Sequence, residues 1–192
     1  MEAFLVSAGV VALAEIGDKT QLLAFVLAAR YRRPVPIIAG ILAATIVNHA
    51  IAGAVGRMLV RALGPSVLRV ALAVSFLAMA VWVLIPDRLA DGESRAPQRF
   101  GIFGTTVIAF FLAEMGDKTQ VATIALAAKY ASFYAVVAGT TLGMMLANVP
   151  AVLISDRLAG RLPIRLVHTI AALIFAALAI AVLWNGTGGL LG

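Results

Sequence analysis

The chain contains no cysteine and only two histidines among its 192 residues. The absence of cysteine excludes disulfide bonds, thiolate metal sites and cysteine nucleophiles. The sequence also lacks the H-E-x-x-H, G-x-S-x-G, phosphate-loop and dinucleotide-binding motifs that mark common enzyme sites. With two histidines and no cysteine, a zinc protease inside the membrane is implausible, and no ATP-binding segment is visible. The sequence therefore predicts that the protein is not an enzyme.

Charged residues are scarce: they make up 12% of the chain, about half the share in a soluble domain. Hydrophobic residues make up 62% and form continuous runs, which favours membrane helices over a barrel of short alternating strands. The net charge of +6 arises largely from arginines at the ends of these runs. In that position they are typical of topology signals and of contacts with lipid head groups. We therefore expect membrane lipid as a partner, and no nucleic acid.

Six apolar runs are each long enough to cross about 30 Å of hydrocarbon at about 1.5 Å per residue. They extend over Phe4–Ala29, Val35–Gly56, Val67–Ile85, Gly101–Ala128, Phe133–Ile154 and Ile164–Trp184. The longest polar segment, from Pro86 to Phe100, is too short to be a domain. The sequence therefore predicts an all-α polytopic membrane protein with six transmembrane helices.

The second half of the chain repeats the first. The hexapeptide EIGDKT, from Glu15 to Thr20, recurs 99 positions later as EMGDKT, from Glu114 to Thr119. Further matches pair Gln21 with Gln120, Gly40 with Gly139, Ala28-Ala29-Arg30-Tyr31 with Ala127-Ala128-Lys129-Tyr130, and, at an offset of 100, Asn48 with Asn148. Because each unit has an odd number of spans, the second must lie upside down relative to the first, as in inverted-repeat transporters. We predict a first three-helix repeat over residues 1–86, a cytoplasmic linker over 87–100 and a second three-helix repeat over 101–192.

Basic residues between the runs predict the orientation, since cytoplasmic loops carry an excess of Lys and Arg. With the N-terminus outside, nine such residues face the cytoplasm and four face the exterior. The nine are Arg30, Arg32, Arg33, Arg88, Arg95, Arg99, Arg157, Arg161 and Arg165, and the four are Arg57, Arg61, Arg69 and Lys129. Both termini are therefore predicted outside. The start Met1-Glu2-Ala3 has no basic segment of the kind that begins a signal peptide.

The two hexapeptides place ionisable groups near the middle of membrane helices. A charged side chain there costs about 2.5–3.5 kcal/mol on insertion scales, so such groups are functional by default. On a continuous helix Glu15, Asp18 and Lys19 would share one face, and the second copy would do the same. Gly17 and Gly116 allow either close helix approach or local unwinding, which would free backbone carbonyls as ligands.

The acidic residues of the hexapeptides are predicted to form one metal site between the repeats: Glu15, Asp18, Glu114 and Asp117. Their four negative charges, less the two positive charges of Lys19 and Lys118, match one divalent cation. An oxygen-rich site without thiols suits the hard cations Ca²⁺, Mg²⁺ or Mn²⁺. Candidates for additional ligands or for the pathway are Thr20, Gln21, Asn48, His49, Thr119, Gln120 and Asn148. Because crowded carboxylates share protons, proton uptake is expected to accompany metal release.

Simpler interpretations exist for each of these residues. The Asp–Lys pairs could be structural ion pairs that lock the helices, and the two lysines are expected to balance charge rather than to contact a cation. His49 would favour Mn²⁺ over Ca²⁺ if it faces the site, but it could instead pack with Asn48 against a neighbouring helix. The small residues of the second and fifth runs are typical of helix packing: Gly40, Gly53, Gly56, Gly139 and Gly143.

The paired E-x-G-D-K-T motifs, each in the first helix of a three-helix half, resemble the Gdt family of manganese and calcium transporters. The resemblance covers essentially the whole chain. It implies a six-helix secondary transporter of the wider lysine-exporter-like superfamily, in which Glu15, Asp18, Glu114 and Asp117 are the cation-site acids and Thr20 and Thr119 belong to the motif. The bacterial branch is similar to manganese exporters of the plasma membrane, whereas Golgi members move Mn²⁺ and Ca²⁺ into the lumen. The short central loop and the lack of a signal or transit peptide fit the bacterial branch.

We therefore expect a secondary transporter that exports divalent cations, Mn²⁺ in preference to Ca²⁺, across the bacterial plasma membrane in exchange for protons. The metal is then the substrate, and no cofactor is expected. Two alternatives stay open: an exporter of another small substrate such as an amino acid, and a structural membrane subunit whose charges pair with a partner. A homodimer is compatible with all three.

Overall fold

The computed structural model describes residues 1–85, 100–154 and 164–185, and over these ranges the chain forms eight α-helices and no strand. The helices are α1 (Glu2–Glu15), α2 (Lys19–Tyr31), α3 (Pro34–Ala62), α4 (Pro65–Trp82), α5 (Gly101–Glu114), α6 (Lys118–Lys129), α7 (Phe133–Leu153) and α8 (Ile164–Asn185). The predicted linker, apart from Phe100, and the predicted cytoplasmic residues Arg157 and Arg161 lie outside the described residues. The all-α class is confirmed over the described part of the chain.

Four helices have the length and hydropathy of membrane spans: Pro34–Ala62, Pro65–Trp82, Phe133–Leu153 and Arg165–Trp184. They coincide with the second, third, fifth and sixth predicted runs. Large apolar side chains cover their outward surfaces, among them Ile46, Leu77 and Leu173, as contact with lipid requires. The chain is therefore a multi-pass membrane protein.

The first and fourth predicted runs are each interrupted at the hexapeptide. α1 ends at Glu15 and α2 begins at Lys19, while α5 ends at Glu114 and α6 begins at Lys118. Gly17 has a φ of 86° and Gly116 a φ of 77°, a left-handed conformation that glycine adopts without the steric cost of a Cβ atom. Local unwinding, rather than a continuous helix, is thus the role of these glycines. The expectation that Glu15, Asp18 and Lys19 share one helical face was wrong, because no helix runs through them.

The interrupted helices pack against α3 and α7 through glycines. α1 lies against α7, and α3 lies against α5 and α6. A Cβ atom at Gly139 of α7 would collide with the backbone oxygen of Phe4 in α1, and one at Gly40 of α3 would lie 3.0 Å from the backbone oxygen of Phe103 in α5. These two contacts are copies of one another, since both partners are related by the offset of 99 residues.

α4 and α8 pack against each other on one side of this assembly. The rings of Phe76 and Phe175 stack with their centroids 6.4 Å apart, and Arg69 donates a hydrogen bond to the backbone oxygen of Leu183. With buried residues of α1, α6 and α7 they form one apolar cluster. A second cluster joins α2, α3, α5 and the end of α7. The first cluster contains residues of α1 and α6, and the second contains residues of α2 and α5, so each interrupted helix contributes one part to each cluster.

The start of α1 lies beside the end of α6. The hydroxyl of Tyr130, the residue after α6, donates a hydrogen bond of 3.2 Å to the carboxylate of Glu2. Burial, together with the nearby Glu2 carboxylate, raises the pKa of Tyr130 to about 12, so the hydroxyl keeps its proton at physiological pH. The interrupted segment α1–α2 therefore begins beside the end of the interrupted segment α5–α6.

Candidate metal centre

Three carboxylates converge where the interrupted helices meet. Glu15 is the last residue of α1, Glu114 is the last residue of α5, and Asp117 directly precedes α6. One oxygen from each lies within 4.8 Å of the other two. Glu15 and Glu114 are completely buried, and Asp117 is 3% exposed. Since oxygens bound to one Ca²⁺ at about 2.3–2.6 Å lie at most about 5 Å apart, this spacing suits a shared cation.

The two glutamates have different surroundings despite their equivalent sequence positions. The Glu15 carboxylate accepts a hydrogen bond of 2.5 Å from the hydroxyl of Thr20 and another from the hydroxyl of Thr119. The side chain of Asn148 also interacts with it. In contrast, neither carboxylate oxygen of Glu114 has a hydrogen-bond partner among the described residues. Glu114 therefore presents two buried carboxylate oxygens that are available to a cation.

The lysines of the hexapeptides pair with the aspartates of the opposite copy. Lys19 Nζ lies 3.8 Å from Asp117 Oδ1, and Lys118 Nζ lies 3.8 Å from Asp18 Oδ1. Lys118 and Asp18 are each 1% exposed, and Asp18 lies outside the group of three converging oxygens within the described chain. Each lysine thus lies where it can balance the charge of an aspartate. The two reciprocal pairs also connect the two halves at the centre.

The two glutamines that follow the hexapeptides brace the interrupted backbone. Gln21 Oε1 accepts a hydrogen bond of 2.9 Å from the N–H of Gly17, and Gln120 Oε1 accepts one of 2.7 Å from the N–H of Gly116. Gln21 also donates to the backbone oxygen of Ala147 at 3.0 Å. In this arrangement each glutamine oxygen accepts a hydrogen bond from a glycine N–H. This hydrogen bond competes with the predicted role of the same oxygen as a metal ligand.

The remaining predicted residues lie on α3 and α7. Asn48 donates to the backbone oxygen of Phe111 at 3.2 Å, and Asn148 donates to that of Met144 at 3.1 Å. His49 is completely buried, and over the described residues neither of its ring nitrogens has a hydrogen-bond partner. It does not belong to the group of oxygens that converge within 4.8 Å. Its role therefore stays a prediction.

The analysis of the sequence missed His168 of α8. Its Nε2 atom lies 2.7 Å from the backbone oxygen of Ile16, inside the first interrupted segment. Because a carbonyl oxygen only accepts, Nε2 is the donor. No signal in the sequence indicated this contact, since the position 99 residues earlier is Arg69, which contacts Leu183 instead.

The centre is thus built from buried oxygen atoms, and with all groups ionised its four carboxylates and two ammonium groups would carry a net charge of −2. Carboxylate oxygens are the preferred ligands of hard divalent cations. Three carboxylates so close together cannot all stay ionised unless a cation or a proton offsets their charge. The arrangement can therefore bind a divalent cation and exchange it for protons.

Comparison with known proteins agrees with this chemistry. The model of a family described as "Divalent cation/proton antiporter GDT1" matches residues 3–91 and 102–189, one range in each half. A Vibrio cholerae protein named "Putative manganese exporter" is 52% identical over 94% of this chain and 90% of its own length. A GDT1-like protein of Synechocystis is 30% identical over 96% and 98%, and GDT1-like protein 3 of Arabidopsis thaliana is 26% identical over 94% and 70%. No solved structure matches the chain.

The family model covers most of the chain, and the Vibrio protein exceeds half identity along nearly its full length. The resemblance drawn from the paired hexapeptides is therefore confirmed. The chain belongs to the GDT1 family of divalent cation/proton antiporters.

Proposed function

We propose that this protein exports Mn²⁺ across the bacterial plasma membrane in exchange for protons, with Ca²⁺ as a second substrate. The observation that carries the proposal is the convergence of Glu15, Glu114 and Asp117 from the two halves, with both Glu114 oxygens lacking a partner among the described residues. The name of the Vibrio relative supports manganese as the substrate and export as the direction.

The proposed architecture has six spans in two inverted repeats, over residues 1–86 and 101–192. Each interrupted pair, α1–α2 and α5–α6, counts as one span. Three observations support the inversion: the reciprocal Lys–Asp pairs, the equivalent contacts of Gly40 and Gly139, and the hydrogen bond that joins the start of α1 to the end of α6. Reciprocal contacts of this kind are what a twofold relation between two similar units produces.

In the proposed mechanism the three converging carboxylates bind the cation, and Glu114 has the largest share because no described residue donates a hydrogen bond to its oxygens. Thr20 and Thr119 orient Glu15. Asp18 acts indirectly, because its ion pair keeps Lys118 close to the centre. Lys19 lies beside Asp117 and balances the charge of that carboxylate. When the cation leaves, protons replace it on the carboxylates, because three adjacent buried charges repel each other. Metal release and proton uptake are thereby coupled.

The orientation follows from the basic residues of the connecting segments. Those that follow α2, such as Arg32 and Arg33, are exposed, and we place them in the cytoplasm with both termini outside. An inward-directed proton gradient would then drive the metal outward.

The test is metal uptake into proteoliposomes, with Mn²⁺ and Ca²⁺ compared and the internal pH recorded at the same time. We expect Mn²⁺ movement to be accompanied by opposite proton movement, and we expect Glu114→Gln to abolish both. Mn²⁺ movement without any pH change would refute exchange for protons. If the protein instead transports an amino acid and Mn²⁺ does not affect that transport, the proposal that Mn²⁺ is the substrate is refuted.

A further inference from the structure

α4 and α8 cover only part of the interrupted helices. α8 packs on α1, and α4 packs on α6. Over the described residues neither makes a comparable contact with α2 or α5, which are the other halves of the same interrupted segments. The metal centre is thus covered by the α4–α8 pair on the side of α1 and α6 alone.

Two polar contacts hold this pair at the metal centre. His168 of α8 donates to the backbone oxygen of Ile16 at 2.7 Å, and Lys118 donates to the backbone oxygen of Ile85, three residues beyond α4, at 2.8 Å. Ile16 follows Glu15 directly, and it has left the helix with a ψ of 115°. Its carbonyl is available because the helix stops there. At the far end Arg69 joins α4 to α8 through the backbone oxygen of Leu183.

The lengths of the elements show how far this cover extends. From His168 to Leu183, α8 rises about 22 Å, and from Glu2 to Ile16 the first segment rises about 21 Å, at about 1.5 Å per residue. α8 is therefore long enough to lie along α1, with which it is in contact, and its His168 reaches Ile16 beside Glu15. Val10 of α1 is 2% exposed and belongs to the apolar cluster that also contains residues of α4, α6, α7 and α8.

The repeat defines a second arrangement of the same helices. At the offset of 99 residues, α1 corresponds to α5, α2 to α6 and α4 to α8. The contact of α8 with α1 therefore corresponds to one of α4 with α5, and the contact of α4 with α6 corresponds to one of α8 with α2. Over the described residues α8 packs on α1 and α4 packs on α6, whereas neither α4 with α5 nor α8 with α2 makes a comparable contact. The structure is asymmetric in these contacts, although the ion pairs at the centre are reciprocal.

We propose that the α4–α8 pair is a gate over the metal centre, and that His168 is the positioning residue that latches it on the side of α1 and α6. In the alternative state α4 lies on α5 and α8 lies on α2, which covers the centre from the opposite side. His168 acts through the backbone of Ile16, and release of this hydrogen bond precedes the movement. The inference rests on the proposed transport function, for which it supplies the moving element.

The experiment uses the natural absence of cysteine in the chain. Val10→Cys introduces a single thiol into the buried cluster that α1 shares with α4 and α8, and a membrane-impermeant maleimide reports its exposure in proteoliposomes. We expect slow labelling in the otherwise native chain, and about five- to tenfold faster labelling when His168→Ala removes the latch. His168→Phe keeps the ring volume without a donor and should label as fast as His168→Ala. His168→Gln restores an N–H donor and should return labelling towards the native rate.

Thr169→Ala is the matched control, because within the described residues the Thr169 hydroxyl bonds to the backbone oxygen of Arg165 in its own helix. Its labelling should equal that of Val10→Cys alone. The gate is refuted if both His168→Ala and His168→Phe label at the native rate, or if His168→Gln labels as fast as they do. Mn²⁺ exchange measured on the same vesicles distinguishes the two proposals. If labelling of Val10→Cys depends on His168 but neither this variant nor the native chain exchanges Mn²⁺, the proposed function fails while the gate stands.

Discussion

The unequal surroundings of Glu15 and Glu114 predict that the same substitution has different effects on stability at the two positions. In its ionised form the Glu15 carboxylate accepts hydrogen bonds from the hydroxyls of Thr20 and Thr119. A hydrogen bond to a charged group contributes about 1.5–3 kcal/mol and one to a neutral group about 0.5–1.5 kcal/mol. Glu15→Gln therefore loses roughly 1–1.5 kcal/mol at each hydroxyl, or about 2–3 kcal/mol in total.

Glu114→Gln removes a carboxylate whose oxygens have no hydrogen-bond partner within the described residues and whose neighbours include Glu15, Asp117 and Asp18. No hydrogen bond is lost, and the repulsion between the carboxylates falls. We expect the stability of this variant to equal or exceed that of the native chain. Both variants should nevertheless lose Mn²⁺ transport, because each removes one of the three converging carboxylates.

The assay is thermal denaturation of the purified protein in detergent, followed by size-exclusion chromatography without added metal. At about 2–4 °C per kcal/mol for a chain of this size, Glu15→Gln should lower Tm by roughly 4–12 °C, and Glu114→Gln should not lower it. Saturating Mn²⁺ at about 100 times its Kd should stabilise the native protein by about 2.7 kcal/mol, and neither variant by a comparable amount. An equal loss of Tm in both variants would show that the threonine hydrogen bonds do not distinguish the glutamates.

Two further predictions concern the interrupted segments. Lys118→Met leaves Asp18 without its ion-pair partner at 3.8 Å, so it should cost about 3–5 kcal/mol; addition of Asp18→Asn should recover most of this, and additive losses of Tm would contradict the pairing. Gly116→Ala places a Cβ atom at a φ of 77° with no atom within 4 Å to collide with, so it should cost about 1–2 kcal/mol of backbone strain alone. Gly9→Ala, in the interior of α1 and equally uncrowded, should stabilise by about 0.5–1 kcal/mol. Equal Tm values for the two alanine variants would refute the requirement for a left-handed residue at 116.

The helical class and four of the predicted spans could be read from the sequence because they depend on local composition. Proline at the start of α3 and α4 and uninterrupted apolar residues specify where a span begins and how long it is. The interruption at Gly17 and Gly116 was one of two alternatives, because glycine permits both unwinding and close packing. Which of the two a glycine adopts depends on how the helix on either side of it packs against its neighbours.

Other features depend on contacts that a sequence does not display. Thr20 and Thr119 occupy equivalent positions, yet both donate to Glu15, and identical motifs cannot predict which glutamate receives them. The contact of His168 with Ile16 joins residues 152 positions apart, and it lacks a counterpart in the first repeat. The roles of the candidate ligands stay predictions until a metal is bound and measured.

The reciprocal ion pairs also constrain how the protein is made. Each hexapeptide contains an acid and a base in adjacent positions, but each of these charges finds its partner in the other half. A half on its own would therefore lack the ion pairs that join the two hexapeptides, in a bilayer where each charged group costs several kcal/mol. Contact between the halves thus contributes to the stability of both hexapeptides in the membrane. Covalent linkage in one chain ensures that the complementary charges arrive together and in equal number.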